Sequence, residues 1–112
     1  MAAIRRHSKV AVAIQLAHAG RKASSHVPWN GGQQIPVGEG GWIAEAPSAI
    51  PQKPGEAAPV ALDRAGMDRV RDAFVRSAER AMRLGIDAIE LHGAHGYLIH
   101  EFLSPIANQR GR

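Results

Sequence analysis

An amphipathic period from Asp63 to Leu84 stands between two short apolar runs, and this succession restricts the fold more than any other feature of the chain. Met67, Val70, Phe74, Ala78, Ala81 and Met82 recur at spacings of three and four, which gathers them into one stripe of an α-helix. Asp63 is placed as its N-cap, where a carboxylate can accept from the free amides of the first turn, and Gly85 as the left-handed stop. Upstream, Val10 to Leu16 is almost continuously apolar; downstream, Ala88 to Leu91 follows after a tight turn. The first run reads as a strand buried on both faces of a parallel sheet, and the second as the next strand. Strand, long connection, helix, short turn, strand is a βαβ unit, whose crossover is right-handed and whose strands run parallel. Gln15 and His92 then fall at the same end of the sheet.

The connection ahead of the helix is long. From 24 to 60 the sequence is rich in Gly, Pro, Gln and Ser without a sustained period, and it reads as a loop on the active-site side, with a short hairpin expected around Gly40 to Ile43. Loops of this length inside compact domains are usually functional. Past the second strand, Leu98, Ile99, Phe102 and Leu103 predict a short helix that Pro105 ends. The 112 residues have room for one domain, 1–112, but fall short of the roughly 250 that a complete barrel of alternating strands and helices needs.

Charge and composition narrow the function classes. A net charge of +4 would permit a nucleic-acid or acidic partner, yet Arg64, Arg69, Arg71, Arg76, Arg80 and Arg83 alternate with Asp63, Asp68, Asp72 and Glu79. That mixture is the wet face of an amphipathic helix, and an aromatic fraction of 4% offers little to stack on bases. No nucleic-acid partner is expected. The absence of cysteine excludes disulfides, thiolate metal sites and cysteine nucleophiles, and suits a reducing compartment. No apolar run approaches the ~20 residues of a membrane span, and the first residues lack the apolar core of a leader. No membrane association and a cytoplasmic location are expected. The competing class is a small non-catalytic basic module whose helix docks an acidic partner through Arg69, Arg76 and Arg83.

Chemistry gathers where the strands end. His92 and His95, separated by Gly93 and Ala94, could bind a metal together with His100, act in acid–base transfer, or donate two hydrogen bonds to one oxygen. The metal option lacks further close ligands. Tyr97, a phenol that stays protonated at neutral pH, can serve as a general acid toward a carbanion or enolate, or can simply pack as an aromatic. Gln15, closing an apolar strand, needs partners for both ends of its amide; a heterocycle with alternating donors and acceptors or a neighbouring backbone would each serve.

Four segments, in order, resemble the Old Yellow Enzyme family of flavin-dependent ene-reductases. They are Ile14-Gln15-Leu16-Ala17-His18-Ala19-Gly20-Arg21-Lys22-Ala23, then Ala46-Pro47-Ser48-Ala49-Ile50-Pro51, then Ile89 through Pro105 with its His92-Gly93-Ala94-His95-Gly96-Tyr97 core, and Asn108-Gln109-Arg110. The resemblance implies an α/β fold, part of an eight-stranded (β/α)8 TIM barrel, with this chain holding about strand 3, helix 3, strand 4 and the short helix after it. It implies FMN as cofactor and NAD(P)H as reductant. Gln15 matches the glutamine on the flavin pyrimidine edge, and His92 and His95 match the pair that grips the carbonyl oxygen of an enone-type, α,β-unsaturated substrate. Tyr97 matches the tyrosine that protonates the substrate α-carbon. His18, Arg21 and Lys22 are assigned to loop architecture. Strands before and after this segment in the family domain have no counterpart here, so an internal fragment, poorly stable and inactive alone, is expected; the family also allows a homo-oligomer of the full-length protein.

Overall fold

The computed structural model describes residues 1–111 as a mixed α/β chain in two compact units. In chain order the elements are α1 (Ala2–His7), β1 (Ala13–Leu16), β2 (Glu45–Ala46), β3 (Val60–Ala61), α2 (Arg64–Arg83), β4 (Ala88–Leu91) and α3 (Leu98–Leu103).

The first unit joins Met1–Leu16 to Arg64–His92. Here β1 and β4 pair in parallel, with Ala13 opposite Ala88, Ile14 opposite Ile89, Gln15 opposite Glu90 and Leu16 opposite Leu91. The helix that crosses between them starts directly after Asp63, the position of its expected N-cap, and stops before Gly85, whose φ is +71°. The parallel βαβ unit read from the sequence is therefore present. Arg64 pairs with Asp68 at 3.4 Å, and Arg71 reaches Asp68 and Asp72 at 2.8 Å each, so part of the basic face is neutralised within the helix.

Two expectations for this unit fail. The first strand begins at Ala13 rather than Val10, because the Val12 N–H is taken by the Asp87 carboxylate at 2.7 Å and the Val10 carbonyl by the Arg5 guanidinium at 2.8 Å. Nor is the first strand buried on both faces. Ile14 is 38% exposed, Ile89 37% and Leu91 60%, since among the described residues this sheet has two strands and one covering helix. The helix α1 has no counterpart in the sequence reading. Its Arg5 pairs with Asp87 and donates to the Gly85 carbonyl at 3.1 Å, tying the amino-terminal turn to the leading end of β4.

The second unit joins Ala17–Asp63 to the chain from Gly93 onward. A short parallel pair, Glu45 opposite Val60 and Ala46 opposite Ala61, is extended by Val60 N–H to the Ala44 carbonyl and Leu62 N–H to the Ala46 carbonyl. Ala44, Ala46, Leu62, Leu98 and Ala107 form its buried apolar core. The hairpin expected at Gly40 to Ile43 does not form. Residues 37–39 make a 3₁₀ turn, and the next backbone is drawn onto the loop's own interior, where the Trp42 N–H donates to Ser24 Oγ at 2.9 Å. The segment 24–60 is thus structured by 3₁₀ turns, one antiparallel bridge between Ser25 and Gln34, and a parallel strand pair.

Two of the four resembling segments meet in this unit. The Arg110 guanidinium donates to the carbonyls of Pro47, at 3.3 Å, and Leu62, while the Gln109 N–H donates to Ser48 Oγ at 2.9 Å. Asn108 closes back on the Phe102 carbonyl at 2.8 Å. Arg110 and Gln109 thereby fasten the turn after α3 to the loop.

Candidate active site

Gln15 and His92 belong to the first unit, and the parallel register explains why they share one end of it. Paired residues in a ladder project to the same face and residues two apart along a strand do likewise, so Gln15, Glu90 and His92 follow one another on one face. Gln15 Nε2 donates to Glu90 Oε1 at 2.8 Å. The His92 N–H continues the ladder to the Leu16 carbonyl at 2.9 Å, holding the histidine at the strand end with its side chain half-buried. The partner that Gln15 finds is a carboxylate across the ladder, neither of the two partners weighed from sequence. That bond uses one amide N–H and leaves the carbonyl and the second N–H for a donor–acceptor edge.

His95 and Tyr97 belong to the second unit, and an unusual turn presents them. His95 has φ +56° and Gly96 φ +69°, two successive residues in the left-handed region. For a histidine this costs on the order of 1–3 kcal/mol, so it persists only where the surroundings over-determine it. They do so here. The Tyr97 N–H bonds the Ala94 carbonyl at 3.1 Å, the Gly96 N–H bonds His100 Nδ1 at 2.9 Å, and Lys22 Nζ donates to the His95 carbonyl at 2.6 Å. His100 is thereby engaged as a turn cap, and among the described residues no three histidines or carboxylates are grouped to hold a metal.

His95 and Tyr97 line an open cleft of about 730 Å³, together with Lys22, His26, Trp42 and Gln52. That volume lies within the range of small-molecule sites. The cleft lies wholly in the second unit, and its mixed lining of imidazole, phenol, indole and amide suits a small organic molecule with one polar end.

Glu101 escapes the sequence reading altogether. It is 1% exposed, its Oε1 accepts the Arg21 N–H at 3.0 Å, and burial pushes its carboxyl above the ordinary range against the opposing pull of Arg21 and Lys22. Its other oxygen and Arg21 Nε are both buried with no hydrogen-bond partner. The available signal was position: Glu101 follows Leu98 by three residues and therefore lies on the apolar stripe of its helix. His18 and Arg21 both make bonds within the loop. His18 Nδ1 accepts the Gly20 N–H at 3.0 Å, and Arg21 reaches the Pro51 carbonyl at 3.4 Å.

Comparison with known proteins gives a consistent picture. Residues 1–111 match the family model described as NADH:flavin oxidoreductase / NADH oxidase. The chain is 47% identical over 103 residues to NADH:flavin oxidoreductase FG08077 of Gibberella zeae, covering 88% of this chain and 25% of that protein. It is 47% identical over 107 residues to the NADPH dehydrogenase of Bacillus cytotoxicus, covering 96% of this chain and 26% of the relative. Among solved structures it resembles histamine dehydrogenase from Rhizobium sp. 4-9, with a TM-score of 0.68 and 33% identity over 91% of this chain and 14% of that one. The chain thus spans about a quarter of the length of the curated relatives it matches.

Proposed function

The chain belongs to the NADH:flavin oxidoreductase / NADH oxidase family, and from that premise we propose that it forms part of an FMN-dependent, NAD(P)H-driven reductase of the C=C bond in α,β-unsaturated carbonyl compounds. In this reading β1, α2, β4 and α3 are strand 3, helix 3, strand 4 and the following helix of a (β/α)8 barrel. The observation that carries it is the parallel β1–β4 register, which aligns the Gln15 amide and His92 at one strand end, with His92 three residues ahead of the left-handed turn at His95, whose side chain lines a cleft together with Tyr97. Barrel enzymes build their sites at the carboxyl ends of strands.

Each residue has one task. Gln15 offers an N–H and a carbonyl to the flavin edge. Imidazole N–H groups of His92 and His95 donate to the substrate carbonyl oxygen and stabilise the negative charge that grows there, as an oxyanion hole does. The Tyr97 hydroxyl gives its proton to the substrate α-carbon, which becomes basic only once that charge has developed. FMN held at Gln15 would supply the hydride chemistry, with NAD(P)H as its reductant.

The test is a chimera in which residues 9–110 replace the matching segment of the Bacillus cytotoxicus NADPH dehydrogenase. It should retain FMN and oxidise NADPH on addition of 2-cyclohexenone under anaerobic conditions. The Tyr97→Phe version should lose about 10²–10⁴-fold in turnover, the usual worth of a positioned general acid. A chimera that holds FMN and is reduced by NADPH but leaves the enone untouched refutes the reading. By itself the chain is expected to purify colourless, without stoichiometric flavin absorbance.

A further inference from the structure

We propose that Lys22 is a positioning residue for this site: its ammonium, bound to the His95 carbonyl, holds the left-handed His95-Gly96 turn that aims His95 and Tyr97 into the cleft. The inference rests on the reductase reading for its functional meaning, though not for its geometry. Four observations carry it. Lys22 Nζ lies 2.6 Å from the His95 carbonyl oxygen, a short charge-assisted bond. That carbonyl belongs to one of only two non-glycine residues with positive φ among the described residues. The end of the lysine side chain also packs against the turn: a Cβ built on Gly96 would lie 3.2 Å from both Lys22 Cε and Nζ. Finally, Lys22 lines the same cleft as His95 and Tyr97, which puts the clamp beside the groups it orients.

The physical logic is a lock on a costly conformation. A left-handed histidine is unfavourable unless something stabilises the resulting carbonyl orientation, and a hydrogen bond from a charged donor typically contributes more than a neutral one. Lys22 in turn is fixed by the 3₁₀ turn Gly20–Lys22, whose Arg21 N–H is held by buried Glu101. Loop architecture and site geometry are therefore coupled through one ammonium group.

Tyr97 is the single tyrosine of the chain, so growth on 3-fluorotyrosine yields one fluorine resonance that reports its surroundings. In Lys22→Met that resonance should move toward its position in the urea-unfolded chain. Amide exchange at Gly96 and Tyr97 should accelerate about tenfold or more, as loss of a charge-assisted bond implies, while the His92 amide in the first unit keeps its rate. Lys22→Arg, which retains charge and donors, should restore both signals. Unchanged resonance and exchange in Lys22→Met, failure of Lys22→Arg to restore them, or equal acceleration at His92 would each overturn the proposal. Should Lys22→Met unfold the chain, Lys22→Gln, which keeps an N–H for the carbonyl, decides by the same two signals. Because neither signal involves flavin or turnover, this outcome and that of the chimera are separable.

Discussion

Gly20 shows how tightly a single position can be specified. It has φ +60°, and a Cβ built on it would lie 2.3 Å from Glu101 Oε1 and 2.4 Å from Oε2. The obstacle is a carboxylate with almost no exposed surface, whose bond to the Arg21 N–H would be lost if it moved. Gly85 provides the contrast, with φ +71° and nothing within 4 Å of a built Cβ. Gly85→Ala should therefore lose only the left-handed penalty of roughly 1–2 kcal/mol. Gly20→Ala should lose that and, in addition, about 1–3 kcal/mol from a displaced buried hydrogen-bonding group. Urea unfolding of the two variants checks the order; a Gly20→Ala midpoint equal to that of Gly85→Ala would show that Glu101 is free to shift.

At the scale of elements, the βαβ unit is fastened at its leading end by Asp87. The carboxylate accepts the Val12 N–H and then the Arg5 guanidinium, and in that order these hold its pKa below the ordinary value of 3.8. A depressed carboxyl contributes stability above its unfolded-state pKa and loses it as pH falls through the folded value. Wild-type unfolding midpoints should accordingly drop as pH falls below about 4, and Asp87→Asn should start lower and show a shallower drop over the same range. Parallel profiles for the two proteins would remove Asp87 from the acid transition. The same latch explains what the sequence could and could not disclose. Helix 64–83 and strand 88–91 are legible because period and punctuation are local: the stripe from Met67 to Ala81, Asp63 before it and Gly85 after it. The helix Ala2–His7 is not, since it has no apolar stripe and its visible anchor is Arg5 on Asp87, 82 residues away. The Gly40-Gly41 pair suggests a hairpin, but Gly41 is required for close approach, with a built Cβ only 2.0 Å from the Ile35 carbonyl oxygen. His95 and Tyr97, singled out in the sequence by type and spacing, both line the cleft. Lys22 and Glu101 emerge only when distant segments meet, through Lys22 on His95 and Glu101 on Arg21.

At the scale of the whole molecule, the apolar surface left uncovered is the dominant physical fact. Leu91, Ile14 and Ile89 of the two-stranded sheet are 60%, 38% and 37% exposed, and Leu103 and Ile106 near the other end of the chain are 77% and 74% exposed. Parallel strands normally have both faces covered, and two-stranded sheets are marginal by themselves. Among the described residues each strand of this pair also keeps one unpaired edge, a template for further strand pairing. At roughly 25 cal/mol per Å², covering several such side chains outweighs the modest repulsion of a net charge of +4. The purified chain should therefore associate with itself, its sedimentation coefficient rising between micromolar and hundred-micromolar concentration. Leu91→Lys, which sets a charge on the most exposed strand residue, should shift that rise to higher concentration without altering the helical signal of 64–83. A wild-type chain that sediments as a monomer across the whole range would mean that the apolar faces are too small or too dispersed to drive pairing, and the strand edges would then need a different explanation for their quiescence.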